Sequence, residues 1–199
     1  QEDTEPAKEE VISNELRMLA KTFKGLSASQ TNVLLVPYKA KQVLSHITSS
    51  LLEDQIRVAE GFVKDMLFHG ITAEELESKL NERYEDGGAS WDKRRARAFV
   101  RRLNDMLKVA EAISAPNTDD GPTSIVEHLT HLYKIDVPAD HRTVFISAIR
   151  QRIDNVIDRV GLERLLDAPV RKGGVGIYKI TAKKMAQEVD LLLLLRYSQ

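Results

Sequence analysis

Seven basic side chains, Lys93, Arg94, Arg95, Arg97, Arg101, Arg102 and Lys108, fall between Trp91 and Lys108 against only Asp92 and Asp105. Guanidinium groups at this density suit the neutralisation of an anionic surface, since each forks paired N–H donors toward a carboxylate or phosphate. On a helix, Arg94, Arg97 and Arg101 lie opposite a stripe built on Phe99 and Leu103, where a helix places charge in any case. An acidic stretch precedes them, with Glu74, Glu75, Glu77, Glu82, Glu85 and Asp86 between Ile71 and Asp86. Those carboxylates could pair with the arginines and cancel them.

Other residue types offer less chemistry. With no cysteine in the chain there is no disulfide, thiolate metal site or cysteine nucleophile. His128 and His131 share a helix face and His141 follows, but Glu127 points about 100° from His128 and no further ligand completes a metal site. His46 and His69 stand alone. Gly173, Gly174 and Gly176 precede a β-prone run, whereas a phosphate loop needs glycines between a strand and a helix N-terminus. No nucleophile elbow or acid pair stands out. No enzyme activity and no cofactor are expected.

A second basic group, Arg171, Lys172, Lys179, Lys183 and Lys184, surrounds that glycine-rich stretch. Ile177 to Thr181 reads as one strand of a hairpin, followed by a helix capped by Thr181. Helix, helix, short helix, basic hairpin, helix between Thr123 and Gln199 resembles a winged-helix module. That resemblance implies phosphate contacts by Arg171, Lys172 and Lys179, with Lys183 and Lys184 beside them. Asp154 and Asp158 on the helix that would read bases depart from the pattern, because acids repel phosphates. Leu191, Leu192, Leu194 and Leu195 belong to a terminal helix apolar on all sides, which must be buried in its own domain or against a partner.

The elements that carry these groups are mostly helical. The spacing predicts a helix from about Ala7 to Phe23, and a long one from about Val33 to His69 with Pro37 in its first turn. Thr72 and Glu75 form a capping box for a short helix to Tyr84. Ser90 is expected to cap the Arg-rich helix. Ser114 to Pro122 concentrates turn formers and reads as a linker between a helical bundle (1–115) and a helical module (116–199). Further helices are expected around Ile125 to Leu132 and from Val144 to Val160, with Gly161 closing or kinking the latter. No internal repeat is evident.

The fold class read from this pattern is mainly α: an N-terminal helical bundle plus a C-terminal helical module with one β-hairpin, winged-helix-like. At 42% hydrophobic and 30% charged residues the chain has an ordinary globular composition. Its longest apolar run, Leu191 to Leu195, is far short of a membrane span. Absence of cysteine fits a reducing, cytoplasmic setting, while Gln1 in place of Met reads as a processed or trimmed end that leaves a removed targeting segment open. The leading expectation is a non-catalytic adaptor or assembly factor. It would dock on a protein partner through the Arg-rich helix and the Leu-rich terminus, with self-association as a further expectation. The alternative is a nucleic-acid-binding regulator or replication factor using the hairpin and the Arg-rich helix.

Overall fold

The computed structural model describes residues 25–114 and 120–196; the helix expected at Ala7 to Phe23 lies outside them. The chain divides into two units, Gln1–Leu35 and Val36–Gln199. In the first, Ser27 Oγ accepts from the Gln30 amide and Gln30 Oε1 accepts from the Ser27 amide. This reciprocal cap starts α1, Ala28–Ile47. Pro37 thus lies inside the helix rather than in its first turn.

The predicted long helix is two. Residues 48–52 separate α1 from α2 (Glu53–Leu67), and Ser50 takes a left-handed φ of 62°. A run of Thr48, Ser49 and Ser50, whose hydroxyls compete for backbone groups, is the local reason. Thr72 and Glu75 form the expected capping box at the start of α3, Ala73–Asn81. A 3-10 turn, Tyr84–Asp86, leads to α4, Lys93–Ser114. Asp92 caps α4 by accepting from the Arg94 and Arg95 amides. Ser90 instead accepts from the Tyr84 amide and holds the loop before it.

Four further helices follow: α5 (Gly121–Tyr133), α6 (Ala139–Ile153), α7 (Arg159–Asp167) and, after a 3-10 turn at Val170–Lys172, α8 (Lys179–Leu195). The expected helix Val144 to Val160 is broken between α6 and α7, with Asn155 left-handed at φ 56°. Gly161 ends nothing; it lies in the first turn of α7, its amide donating to the Asp158 cap at 2.7 Å.

The β-hairpin and the winged-helix layout are absent: no strand occurs among the described residues. Val175 and Ile177 are buried while Gly176 and Tyr178 are exposed, an alternation that mimics a strand. Yet the amides of Val175, Gly176 and Ile177 donate to the carbonyls of Leu165, Ala168 and Leu166 at the end of α7. Hydrogen-bonding groups that a partner strand would need are already used, so the segment is an extended loop laid along a helix end. Lys179 then starts α8, two residues before the Thr181 expected to cap it.

An internal repeat is present after all. Residues 53, 73, 84 and 93, where α2, α3, the first 3-10 turn and α4 begin, correspond to 139, 159, 170 and 179, where α6, α7, the second 3-10 turn and α8 begin. Each pair is separated by 86 positions (139 − 53 = 86), as are the ends of α1 and α5 at Ile47 and Tyr133 (133 − 47 = 86). Small details repeat too. Trp91 N donates to Leu80 O and Ile177 N to Leu166 O, both at 2.8 Å, and Gly87 and Gly173 both carry left-handed φ. Gly88 and Gly174 each sit where a Cβ would come within 2.2 and 2.1 Å of the Glu82 and Ala168 carbonyls.

Both repeats contribute to one buried cluster. It runs from Leu76, Leu80, Phe99 and Leu103 in the first to Leu162, Leu166, Met185 and Val189 in the second. Trp91 meets Phe99 edge-on with ring centroids 5.4 Å apart. Leu191, Leu192, Leu193 and Leu195 are buried and Leu194 half-buried. That segment packs into the buried cluster, with Leu194 against its edge.

Candidate functional site

α4 carries three stripes at helical spacing. Ala96, Phe99, Val100, Leu103 and Met106 are buried. Lys93, Arg94, Arg97, Arg101 and Lys108 are exposed and turn outward. Arg95, Ala98 and Arg102 face an open depression of about 700 Å³, whose far wall includes Lys184 and Gln187 of α8. Ser45, His46, Ile47, Thr48 and Ser49 close it at the end of α1, and Leu132 and Tyr133 at the end of α5. Its walls are therefore the corresponding ends of corresponding helices, brought together from the two repeats.

Beneath it lies a carboxylate with no solvent exposure, Glu188 of α8. Its Oε2 accepts from Arg102 at 2.5 Å and from His46 Nε2 at 2.6 Å, and its Oε1 from His128 Nε2 at 2.7 Å. Burial by itself would raise the pKa of Glu188. Hydrogen bonds from His128, His46 and Arg102, together with the guanidinium charge, outweigh it and hold the carboxyl well below the usual range. Tyr133 is pushed up to about 12 by burial and by Glu188, with Arg102 acting in the opposite sense. Both imidazole Nε2 atoms lie within hydrogen-bond distance of the carboxylate, leaving no gap for a metal ion between them. Among the described residues no group of three His, Asp or Glu side chains has metal-holding geometry.

Arg102 and Glu188 occupy corresponding positions of the two repeats (188 − 102 = 86) and touch each other. Where two like units meet face to face, a residue near the centre meets its own counterpart. Identical charges would repel there; opposite charges on the two repeats bind.

The arginines predicted from sequence divide by these stripes. Arg102 is consumed by Glu188, and Arg97 Nε donates to Glu77 of α3 at 3.1 Å. Lys93, Arg94, Arg95 and Arg101 are exposed and make no ion pair among the described residues. Lys179, Lys183 and Lys184 are exposed on α8, and Arg171 and Lys172 on the second 3-10 turn. Only Lys184 joins Arg95 and Arg102 around the depression. Of the histidines grouped by sequence, His128 turns inward to Glu188. His131 lines a second depression, about 430 Å³, that also holds Asp105 and Glu127, and His141 lies beside Asp140.

Glu188, His46 and Tyr133 were not singled out by sequence reasoning. The available signal was a carboxylate interrupting the buried stripe Ala182, Met185, Val189 and Leu192, since a charge on such a face demands a partner. No protein-family model, curated protein or solved structure matches the chain. No described helix is long and apolar enough to cross a membrane.

Proposed function

We propose that the chain is a non-catalytic interaction protein, an adaptor or assembly factor that docks on an acidic protein partner through the outward stripe of α4. The observation that carries this reading is the exposure of Lys93, Arg94 and Arg101 on one rigid helix, without carboxylate partners among the described residues. An exposed guanidinium not already paired retains its fork of donors for a partner carboxylate, and a rigid helix costs little entropy to dock. A protein partner is favoured over nucleic acid by the surroundings. Arg97 is already paired to Glu77, and exposed Asp105 lies between Arg101 and Lys108. Such interleaved acids suit a mixed protein surface better than a continuous row of phosphates.

The test is a fluorescence titration of the full chain with an Asp- and Glu-rich peptide and, separately, with duplex DNA, each at two salt concentrations. Expected is saturable peptide binding that weakens by about tenfold or more in Arg94→Glu/Arg101→Glu, helicity by circular dichroism being unchanged. Peptide binding indifferent to that double substitution overturns the reading. DNA bound more tightly than peptide, with a steep salt slope, replaces it with the nucleic-acid alternative.

A further inference from the structure

The depression between the repeats has a chemistry distinct from that of the outward stripe. Its α4 wall is Arg95, Ala98 and Arg102, and its α8 wall brings Lys184 to the same space. Arg95 and Lys184 are exposed and form no ion pair among the described residues. Among the described residues no carboxylate lines the space. Glu188, beneath it, has zero exposure, and its carboxylate is met by Arg102 and by two imidazole nitrogens. The balance facing the depression is therefore positive, from two cations on different helices converging on a single volume.

Hydroxyl donors complete the lining. Ser45, Ser49 and Tyr133 sit at the helix ends that close it. With Tyr133 pushed up to about 12, its phenol keeps its proton at neutral pH and remains a donor. Ile47 and Leu132 add an apolar portion. A volume of about 700 Å³ falls in the range of small-molecule sites, roughly 300–1,000 Å³.

The repeat strengthens the case. Arg95 corresponds to Thr181 and Lys184 to Ala98 (181 − 95 = 86; 184 − 98 = 86). Neither cation is required by the shared backbone, because the other repeat builds the same helix without it. Neither stabilises the fold through an ion pair among the described residues.

We propose that this depression is a binding site for a small organic polyanion, a phosphate ester or diphosphate, gripped between Arg95 and Lys184 with its body against Ile47 and Leu132. Two cations facing across a gap match a ligand with several charged oxygens better than a single carboxylate, and the hydroxyls supply donors to the oxygens the cations leave free. This site does not depend on the docking stripe. Arg94 and Arg95 point about 100° apart on the helix, so either reading can fail while the other stands.

The experiment is isothermal titration of the full chain with inorganic pyrophosphate, with citrate and with chloride at matched ionic strength. Saturable binding of pyrophosphate near one equivalent is expected, weakened by about tenfold in each of Arg95→Ala and Lys184→Ala and changed less than about twofold in Arg94→Ala/Arg101→Ala. Both wall residues are exposed, so the folded state should survive, as circular dichroism would verify. Backbone-amide NMR should show perturbation at His46 and Tyr133 on titration. Citrate bound as tightly as pyrophosphate overturns the phosphate assignment. Heat no different from chloride, or loss caused equally by the outward-stripe substitutions, overturns the site.

Discussion

Glu188→Leu should be the most damaging single substitution that leaves the volume of the core nearly unchanged. It removes the only carboxylate among the described residues that meets Arg102, whose side chain is 19% exposed, and leaves His128 Nε2, on a side chain 9% exposed, without that partner. Removing one member of a buried pair costs about 3–5 kcal/mol, mostly because the remaining charge is left without compensation. In a chain of this length 1 kcal/mol moves the melting temperature by roughly 2–4 °C, so a fall on the order of 6–20 °C is expected. Removing the partner charge as well, in Arg102→Met/Glu188→Leu, should recover much of that loss, since an apolar pair of similar volume is often neutral relative to a buried ion pair. The assay is urea unfolding of the four members of the cycle at pH 7, with the denaturant slope checked for constancy.

Acid provides an independent readout. In the folded chain Glu188 is held below the usual carboxylate range, while in the unfolded chain it titrates near ~4.3. Between those limits the unfolded state binds more protons, so the contribution of this group is complete above the unfolded value and is lost as the pH falls through the folded one. Asp190 acts in the opposite sense. Burial raises its carboxyl above 3.8, only partly offset by Arg152 at 3.0 Å, so the folded state takes up its proton first as acid is added. The difference between wild type and Glu188→Gln cancels Asp190 and should shrink as the pH drops below about 4.3. A loss of less than ~1 kcal/mol for Glu188→Leu at pH 7 would refute the reasoning, that being the scale of an ordinary net hydrogen bond. A wild-type advantage independent of pH down to 3 would refute it as well.

Two other perturbations probe the repeat and the buried lysine. Gly88→Ala and Gly174→Ala should each destabilise strongly in thermal unfolding, because the added Cβ meets a backbone carbonyl at 2.2 and 2.1 Å. Gly87→Ala, with open space but φ of 92°, should cost only about 1–2 kcal/mol; equal losses at positions 87 and 88 would contradict the close-approach explanation. Lys39 is fully buried, and desolvation lowers its ammonium from 10.5 to about 8. Between those values the unfolded chain holds the proton and the folded chain does not, so stability from this group should rise with pH across that interval. Lys39→Met should remove the rise, and a parallel pH profile for the two proteins would show that Lys39 is not the group responsible.

What could be read from the sequence was local. Thr72 and Glu75 announce a helix start because a hydroxyl and a carboxylate three residues apart satisfy each other's backbone amides, and the structure contains both bonds. The apolar stripe of the Arg-rich helix followed from spacing alone. Errors arose where a local pattern had two solutions. Val175, Gly176, Ile177 and Tyr178 alternate as a strand would, but the carbonyls ending α7 accept their amides before any second strand can. Continuous apolar spacing through Thr48 to Leu52 concealed the break at Ser50, since periodicity registers burial and not the backbone turn that resets it.

The repeat escaped notice for a different reason, and that reason bears on function. Corresponding positions keep their residue type mainly where the backbone or the core demands it, as at Leu76 and Leu162, Leu80 and Leu166, Gly87 and Gly173, Gly88 and Gly174, Ala96 and Ala182. At several exposed positions the two halves differ in kind, although Lys93 and Lys179, and Arg97 and Lys183, are basic and exposed in both. Glu85 and Asp86 correspond to Arg171 and Lys172, Asp92 to Tyr178, and Arg94 to Ile180. Since both halves build the same helices, those exposed residues are not dictated by the fold, and two identical surfaces would have served stability equally well. The meeting of the repeats is equally lopsided: an arginine in one half faces a glutamate in the other. Through that asymmetry corresponding helices of a doubled scaffold present unequal surfaces, Arg94 and Arg95 of α4 standing where α8 has Ile180 and Thr181, and those differences are where its binding chemistry should be sought.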